Sequence, residues 1–382
     1  VNIRLTSAAL ALLLFAGPAA SAGAATLVLM PLDNVSGEQS AQEILPPLLA
    51  KAVAAKGWNV ATGNDIESLL EQRRIRYFDF LGDDVRQSVL TSAGASAILT
   101  ITVYTYAQTR NASIGLTARL VDAAGSTQWS NIAGLTSKDT ERALGFGEKN
   151  SLAELAPQAV AMLLNGFPCG SCVEHRAQAI PRESFRRRAL SYSDPDLDHT
   201  RPICILPFDN ESSVPEAVRL VADVLALRLE AAGFTVINPT MVRDAALKAR
   251  ISFHKVGSQD LLTLAKAIGT PLFLRGTIYR FDDPVARNGT PTPALDLEVT
   301  LVDVRAGRIL WAVQDDRKGT DYTGFLMLGA ISNSVSLTDR VATEIIATAR
   351  INHDKKNHSG AHAPSVSAVR DRGQQNTGKG ER

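Results

Sequence analysis

The octapeptide "LVLMPLDN" spans Leu27–Asn34, and "ICILPFDN" spans Ile203–Asn210. Each joins a short apolar run to a proline, an apolar residue and Asp-Asn. Pro31 and Pro207 lie 207 − 31 = 176 positions apart. The same offset relates Asp33 to Asp209, Asn34 to Asn210, Ser36 to Ser212, Gly57 to Gly233 and Val60 to Val236. Farther along, Gly94 matches Gly269, Leu120–Asp122 matches Leu301–Asp303 as "LVD", and Trp129 matches Trp311. Loop insertions produce small drifts of this kind, so the pattern reads as one supersecondary plan written twice.

Working outward, each unit opens on a buried strand that ends at proline, which cannot donate a ladder hydrogen bond. A helix follows in each. Val218, Val221, Ala222, Leu225 and Leu229 recur at helical spacing before Gly233, as Leu45, Leu48, Leu49, Ala52 and Val53 do before Gly57. Pro46 and Pro47 suit only a first helical turn, which places the start of the earlier helix near Leu45. A short strand, two helices, three strands and a closing helix complete each unit, with Ser258 expected as an N-cap. The order β-α-β-α-α-β-β-β-α, twice, predicts an α/β fold whose two tandem mixed sheets combine parallel and antiparallel pairs.

The expected boundaries are a signal peptide at 1–22, a first unit at 26–166, a linker at 167–201, a second unit at 202–351 and a disordered tail at 352–382. Arg4, the apolar run Ala8–Ala16 and Ala20-Ser21-Ala22 form the n-region, h-region and cleavage site of an export signal. A valine at position 1 suits a bacterial alternative start codon, so the expected location is the periplasm. No cysteine stands at the cleavage site, which speaks against a lipoprotein, and no later run has the length of a membrane span. The 382 residues suffice for two cores. A net charge of +1 argues against nucleic-acid partners, which require clustered excess cations.

The "PLDN" and "PFDN" strand ends, "GTIY" at Gly276–Tyr279 and "LVDVRAGRILW" at Leu301–Trp311 together resemble the bacterial envelope proteins that share the fold of the curli-secretion lipoprotein CsgG. The N-terminal domain of TolB and the penicillin-binding-protein activator LpoB look similar. The resemblance covers both units and implies a non-enzymatic role in binding or assembly, with other envelope proteins or further copies of this chain as partners. It implies no cofactor. The curli protein builds a barrel from long membrane hairpins inserted in its domain. Connections here such as Ala312–Gly324 look too short and too charged to cross a bilayer as amphipathic hairpins, so a secretion pore is not expected.

Four sets of residues invite a functional reading. Asp33-Asn34 and Asp209-Asn210 sit where α/β sheets often bind ligands, yet Asx side chains there also start turns. Cys169-Gly170-Ser171-Cys172 is not a c-type haem site, because Val173 replaces the required histidine. It suits a small disulfide, with thiol–disulfide chemistry or metal binding together with His175 and Cys204 as the alternatives. Arg186-Arg187-Arg188 beside several aspartates reads as a solvated patch. Trp129 and Trp311 end equivalent strands and read as packing. Only His254, among six histidines, falls inside a unit, and no acid, base or nucleophile pattern is repeated, so catalysis is not expected.

Overall fold

A computed structural model describes residues 24–75, 78, 80–108, 111–140, 151–170, 190–194, 197–198, 200–253, 256–285, 292–323 and 329–359. The first half contains β1 (Thr26–Leu29), β2 (Asp33–Asn34), α1 (Gln39–Ala54), β3 (Asn59–Ala61), α2 (Asn64–Gln72) and α3 (Asp83–Ala93). It continues through β4 (Ala97–Gln108), β5 (Ala112–Asp122), β6 (Thr127–Thr136), α4 (Ser137–Thr140) and α5 (Leu152–Leu163). The second half contains β7 (Leu190–Ser193), β8 (Ile203–Ile205), β9 (Asp209–Asn210), α6 (Ala217–Ala231), β10 (Val236–Ile237), α7 (Pro239–Ala249) and α8 (Ser258–Ile268). It closes with β11 (Leu272–Asp282), β12 (Ala294–Asp303), β13 (Arg308–Lys318) and α9 (Ser334–Ser359).

The fold is α/β with two mixed sheets. The first runs β3-β1-β4-β5-β6 and the second β10-β8-β11-β12-β13-β7, with β2 on β4 and β9 on β11. In each, the first strand pairs in parallel on both sides, and the three long strands form an antiparallel meander. Even the irregularities correspond: bulges fall between Val103 and Thr105 and between Ile278 and Arg280, then at Leu120/Val121 and Leu301/Val302.

Alternation along β1 sends Leu27 and Leu29 toward α1 and α5, and Val28 toward α2 and α3. Both faces are covered, which is why this strand reads as an unbroken apolar run. The second half repeats the device: Ile203 and Ile205 meet α6 and α9, while Cys204 meets α7 and α8. The halves then differ in one respect. Helices α6 and α9 also lie against the far face of the first sheet, where Tyr104 and Ile132 join their apolar cluster. One helical layer therefore serves two sheets. Helix α6 is correspondingly buried on several flanks, from Ala217 through Leu229, whereas α1 buries only the stripe Ala41, Leu45, Leu49 and Val53.

The approach of α9 to the first sheet depends on missing side chains. A Cβ on Gly115 would stand 2.5 Å from Val335 Cγ2, and one on Gly134 would stand 2.3 Å from both Asn333 Oδ1 and Ser336 Oγ. Asn333 caps α9 by accepting the amides of Val335 and Ser336, and its amide group donates to Ser113 Oγ at 3.0 Å and Ile114 O at 3.3 Å. Ser336 Oγ donates to Gly134 O at 2.9 Å.

Four expectations need correction. Helix α1 begins at Gln39, so Pro46 and Pro47 lie in its interior; the hydrogen bonds their nitrogens cannot donate leave the carbonyls of Gln42 and Glu43 without their i+4 helical partners. The N-cap of α8 is Gly257, whose amide donates to Asp260 Oδ2, while Ser258 is the first helical residue. The stretch expected as a linker is partly built into the fold. Gly170 donates to Lys56 O, Phe167 packs edge-on against Trp129, and β7 adds to the edge of β13. Helix α9 continues to Ser359, inside the expected disordered tail, because extending an anchored helix avoids the cost of nucleation. Residues 1–22 and 360–382 lie outside the described residues. Among the described residues no helix is long and apolar enough to cross a membrane.

Replacing Gly134 with alanine must push α9 off the sheet or distort Asn333. The expected cost is about 1–3 kcal/mol, seen as a lowered denaturation midpoint, whereas alanine at the solvent-facing turn residue Ser126 should leave the midpoint nearly unchanged.

Candidate functional site

The two Asp-Asn pairs are short strands, hydrogen-bonded in parallel to the long central strands: Asp33 and Asn34 opposite Thr102 and Val103, Asp209 and Asn210 opposite Thr277 and Ile278. The asparagines do the same work in both halves. Asn34 donates to Glu38 O at 2.8 Å and accepts from Ser36 Oγ at 2.7 Å; Asn210 donates to Val214 O at 3.0 Å and accepts from Ser212 Oγ at 2.7 Å. Each thereby closes the turn that leads to a helix. That is the structural reading of the motif.

The aspartates differ. Asp33 is only 8% exposed and receives both terminal nitrogens of Arg219 on α6, with Nη1 to Oδ1 at 3.1 Å. Asp209 is exposed. Arg219 also approaches Asp223 at 3.6 Å, and Asp223 accepts the hydroxyl of Tyr104. Nearby, Arg119 on β5 pairs with Glu230 on α6, and burial raises the Glu230 carboxyl above its usual range despite that cation. These groups bind the halves together, and their charges are largely spent on one another.

Cys204 lies on β8 within a core cluster, and burial pushes its thiol up to about 12. A thiol held protonated is a poor nucleophile and a poor metal ligand. Cys172, His175, Arg186–Arg188 and His254 lie outside the described residues. Cys169 stands in the stretch tied to the first half, between Pro168, whose carbonyl accepts Trp58 Nε1, and Gly170. Among the described residues no group of three or more His, Cys, Asp or Glu side chains could hold a metal ion. Trp129 and Trp311 are both buried, and Trp311 Nε1 donates to Thr348 Oγ1 at 2.8 Å on α9.

A broader surface was not singled out by any motif. The far face of the first sheet carries Thr100, Thr102, Thr117 and Arg119, all buried beneath the helical layer and neighbouring elements. Its counterpart on the second sheet carries Arg275, Tyr279 and Gln314, which are exposed, Thr277 and Glu298, which are half-buried, and Thr300, which is buried. Leu190 and Tyr192 of β7 flank it, opposite Gln314 and Ala312, and Ile309 stands farther along β13, opposite Val302. These large apolar side chains are 77%, 52% and 45% exposed, and Tyr279 is 37% exposed. Exposed apolar groups gathered on one face, among charged neighbours, are the composition of an interaction surface.

No family model matches the chain, and no curated protein matches it in sequence. Solved structures similar to it include the PelC dodecamer from Paraburkholderia phytofirmans, 18% identical over 41% of this chain and 98% of that one, with a TM-score of 0.28. The C-terminal domain of LpoB from Escherichia coli is 15% identical over 32% and 85%, with a TM-score of 0.25. TolB from Acinetobacter baumannii is 16% identical over 42% and 30%, with a TM-score of 0.22.

Removing the Asp33 carboxylate leaves Arg219 half-buried with one partner fewer. Asp33→Ala should destabilise the protein by about 1–3 kcal/mol, below the cost of breaking a fully buried pair, while Asp209→Ala should change stability by less than about 0.5 kcal/mol. In a Cys169→Ser/Cys172→Ser chain, Cys204 should resist a thiol reagent at pH 8 and react fully once denatured.

Proposed function

We propose that this chain is a binding and assembly module of the bacterial cell envelope, acting by holding another protein rather than by transforming a substrate. The observation that carries the reading is the contrast between equivalent sheet faces. On the first sheet a helical pair covers the face; on the second the same face stands open with Leu190, Tyr192, Tyr279 and Ile309 exposed. A partner offering a helical surface of complementary charge would fill the second face as α6 and α9 fill the first. The export-type leader and the motifs resembling the curli-secretion, TolB and LpoB proteins support an envelope setting. The edge of β13 is already occupied by β7, so the open face, rather than that edge, is the better docking surface.

A photo-crosslinking residue placed at Tyr192 or Tyr279 in growing bacteria should give a discrete adduct with one envelope protein. The same residue at Met162 or Met241, exposed elsewhere, should not. With the probe at Tyr279, Tyr192→Glu with Ile309→Glu should lower the yield at least tenfold at unchanged thermal stability. Equal crosslinking from all four positions, or none from the open face, would contradict the reading.

A further inference from the structure

The two halves each contain a cleft at the carboxyl end of their first strand, between the first and second helices. The clefts occupy about 450 and 460 Å³, within the range of small-molecule sites (roughly 300–1,000 Å³). Their walls correspond residue by residue at the offset of 176. Leu206, Pro207, Val218, Ala222, Val242 and Arg243 in the second cleft answer Met30, Pro31, Gln42, Pro46, Ile66 and Glu67 in the first.

Position by position, the walls have diverged in chemistry. Where the first cleft has Gln42 the second has Val218, which makes it more apolar, and where the first has Glu67 the second has Arg243, of opposite charge. Phe253 and the first half's Phe80 and Leu81 extend the apolar wall, and Arg74 joins Arg243 in lining the cleft. Arg219 also lines it, but its guanidinium is engaged by Asp33 and Asp223. Among the described residues, the Arg74 and Arg243 side chains make no hydrogen bond or ion pair, and both residues are exposed.

Arg74 is also held in an unusual backbone. It has φ of 56°, in the left-handed region, and its counterpart Arg250 has the same φ. Both follow the second helix of their half, and the next residue closes the helix end through Ile75 N to Leu70 O and Ile251 N to Ala246 O. A non-glycine residue is disfavoured there, because its Cβ crowds the following carbonyl oxygen. In the first half this position lines the second-half cleft; Arg250 lines neither cleft.

We infer that the second-half cleft binds a small amphiphilic anion. Its apolar body would rest on Leu206, Val218, Val242 and Phe253, and its carboxylate or phosphate would be held by Arg74 and Arg243. Guanidinium groups suit both heads, since each offers oxygen acceptors to paired N–H donors. Because Arg74 and Phe80 belong to the first half and Arg243 to the second, an occupied cleft would bridge them. The inference does not depend on the protein partner proposed above.

Decanoate and decyl phosphate, each below its micellar concentration, and decanol below its solubility limit, titrated into the full-length protein by calorimetry, test it. Both anions should bind, at least tenfold more tightly than decanol. Arg74→Gln with Arg243→Gln should erase that advantage without lowering the melting temperature, and Glu67→Gln in the first-half cleft should change nothing. A preference for one anion would identify the head group. Decanol binding as well as decanoate, an undiminished anion preference in the double variant, or no binding of either anion up to millimolar concentration would overturn it.

Discussion

The docking of α9 onto the first sheet at Gly115 and Gly134 governs much of the remaining structure. Two absent side chains let the helix approach, and Asn333 spends both ends of its amide there, capping α9 and binding β5. Once α9 is seated, α6 beside it is confined between two sheets, and the Arg219–Asp33 and Arg119–Glu230 pairs close across the seam. The ion pairs offset the burial of these groups, although Glu230 Oε2 is buried with no hydrogen-bond partner. The consequence is asymmetric. The first sheet is covered on both faces, and the equivalent face of the second leaves Arg275, Tyr279 and Gln314 exposed.

That asymmetry separates what the sequence states from what it leaves open. In "AILTITVYTYA" the alternation of Leu99, Ile101 and Val103 with Thr100 and Thr102 identifies two faces correctly. It cannot say that the threonine face is buried, because the covering helices stand more than a hundred residues later. "FLRGTIYR" alternates similarly, and its polar face is open. One signal was present: α6 is apolar around much of its circumference while α1 is apolar along one stripe, as expected of a helix placed between layers. Composition carried the answer that strand periodicity lacked.

Other features were illegible for local reasons. The strand β7 is four residues inside a charged, proline-bearing stretch, and only its register on β13 reveals it. Pro46 and Pro47 argued for a late helix start, but packing of Ala41 and Leu45 overrides their local cost. The pair Arg-Ile at 74–75 and at 250–251 was a readable repeat at offset 176, and it marks the left-handed helix ends that no glycine announced. The Asp-Asn motif was legible as a turn through its asparagines. The distinct fate of Asp33 was not, since its partner Arg219 comes from the other half.

A single helical layer holding two sheets makes both halves one cooperative unit, and the tryptophans provide a probe on each side. Two variants, one retaining only Trp129 and the other only Trp311, should be unfolded in urea and followed by fluorescence. A shared layer predicts coincident midpoints once each variant's own stability is matched by circular dichroism, because neither sheet can lose α6 and α9 alone. A Trp129 transition clearly separated from that of Trp311 would mean that the halves unfold independently, and would contradict the shared layer directly.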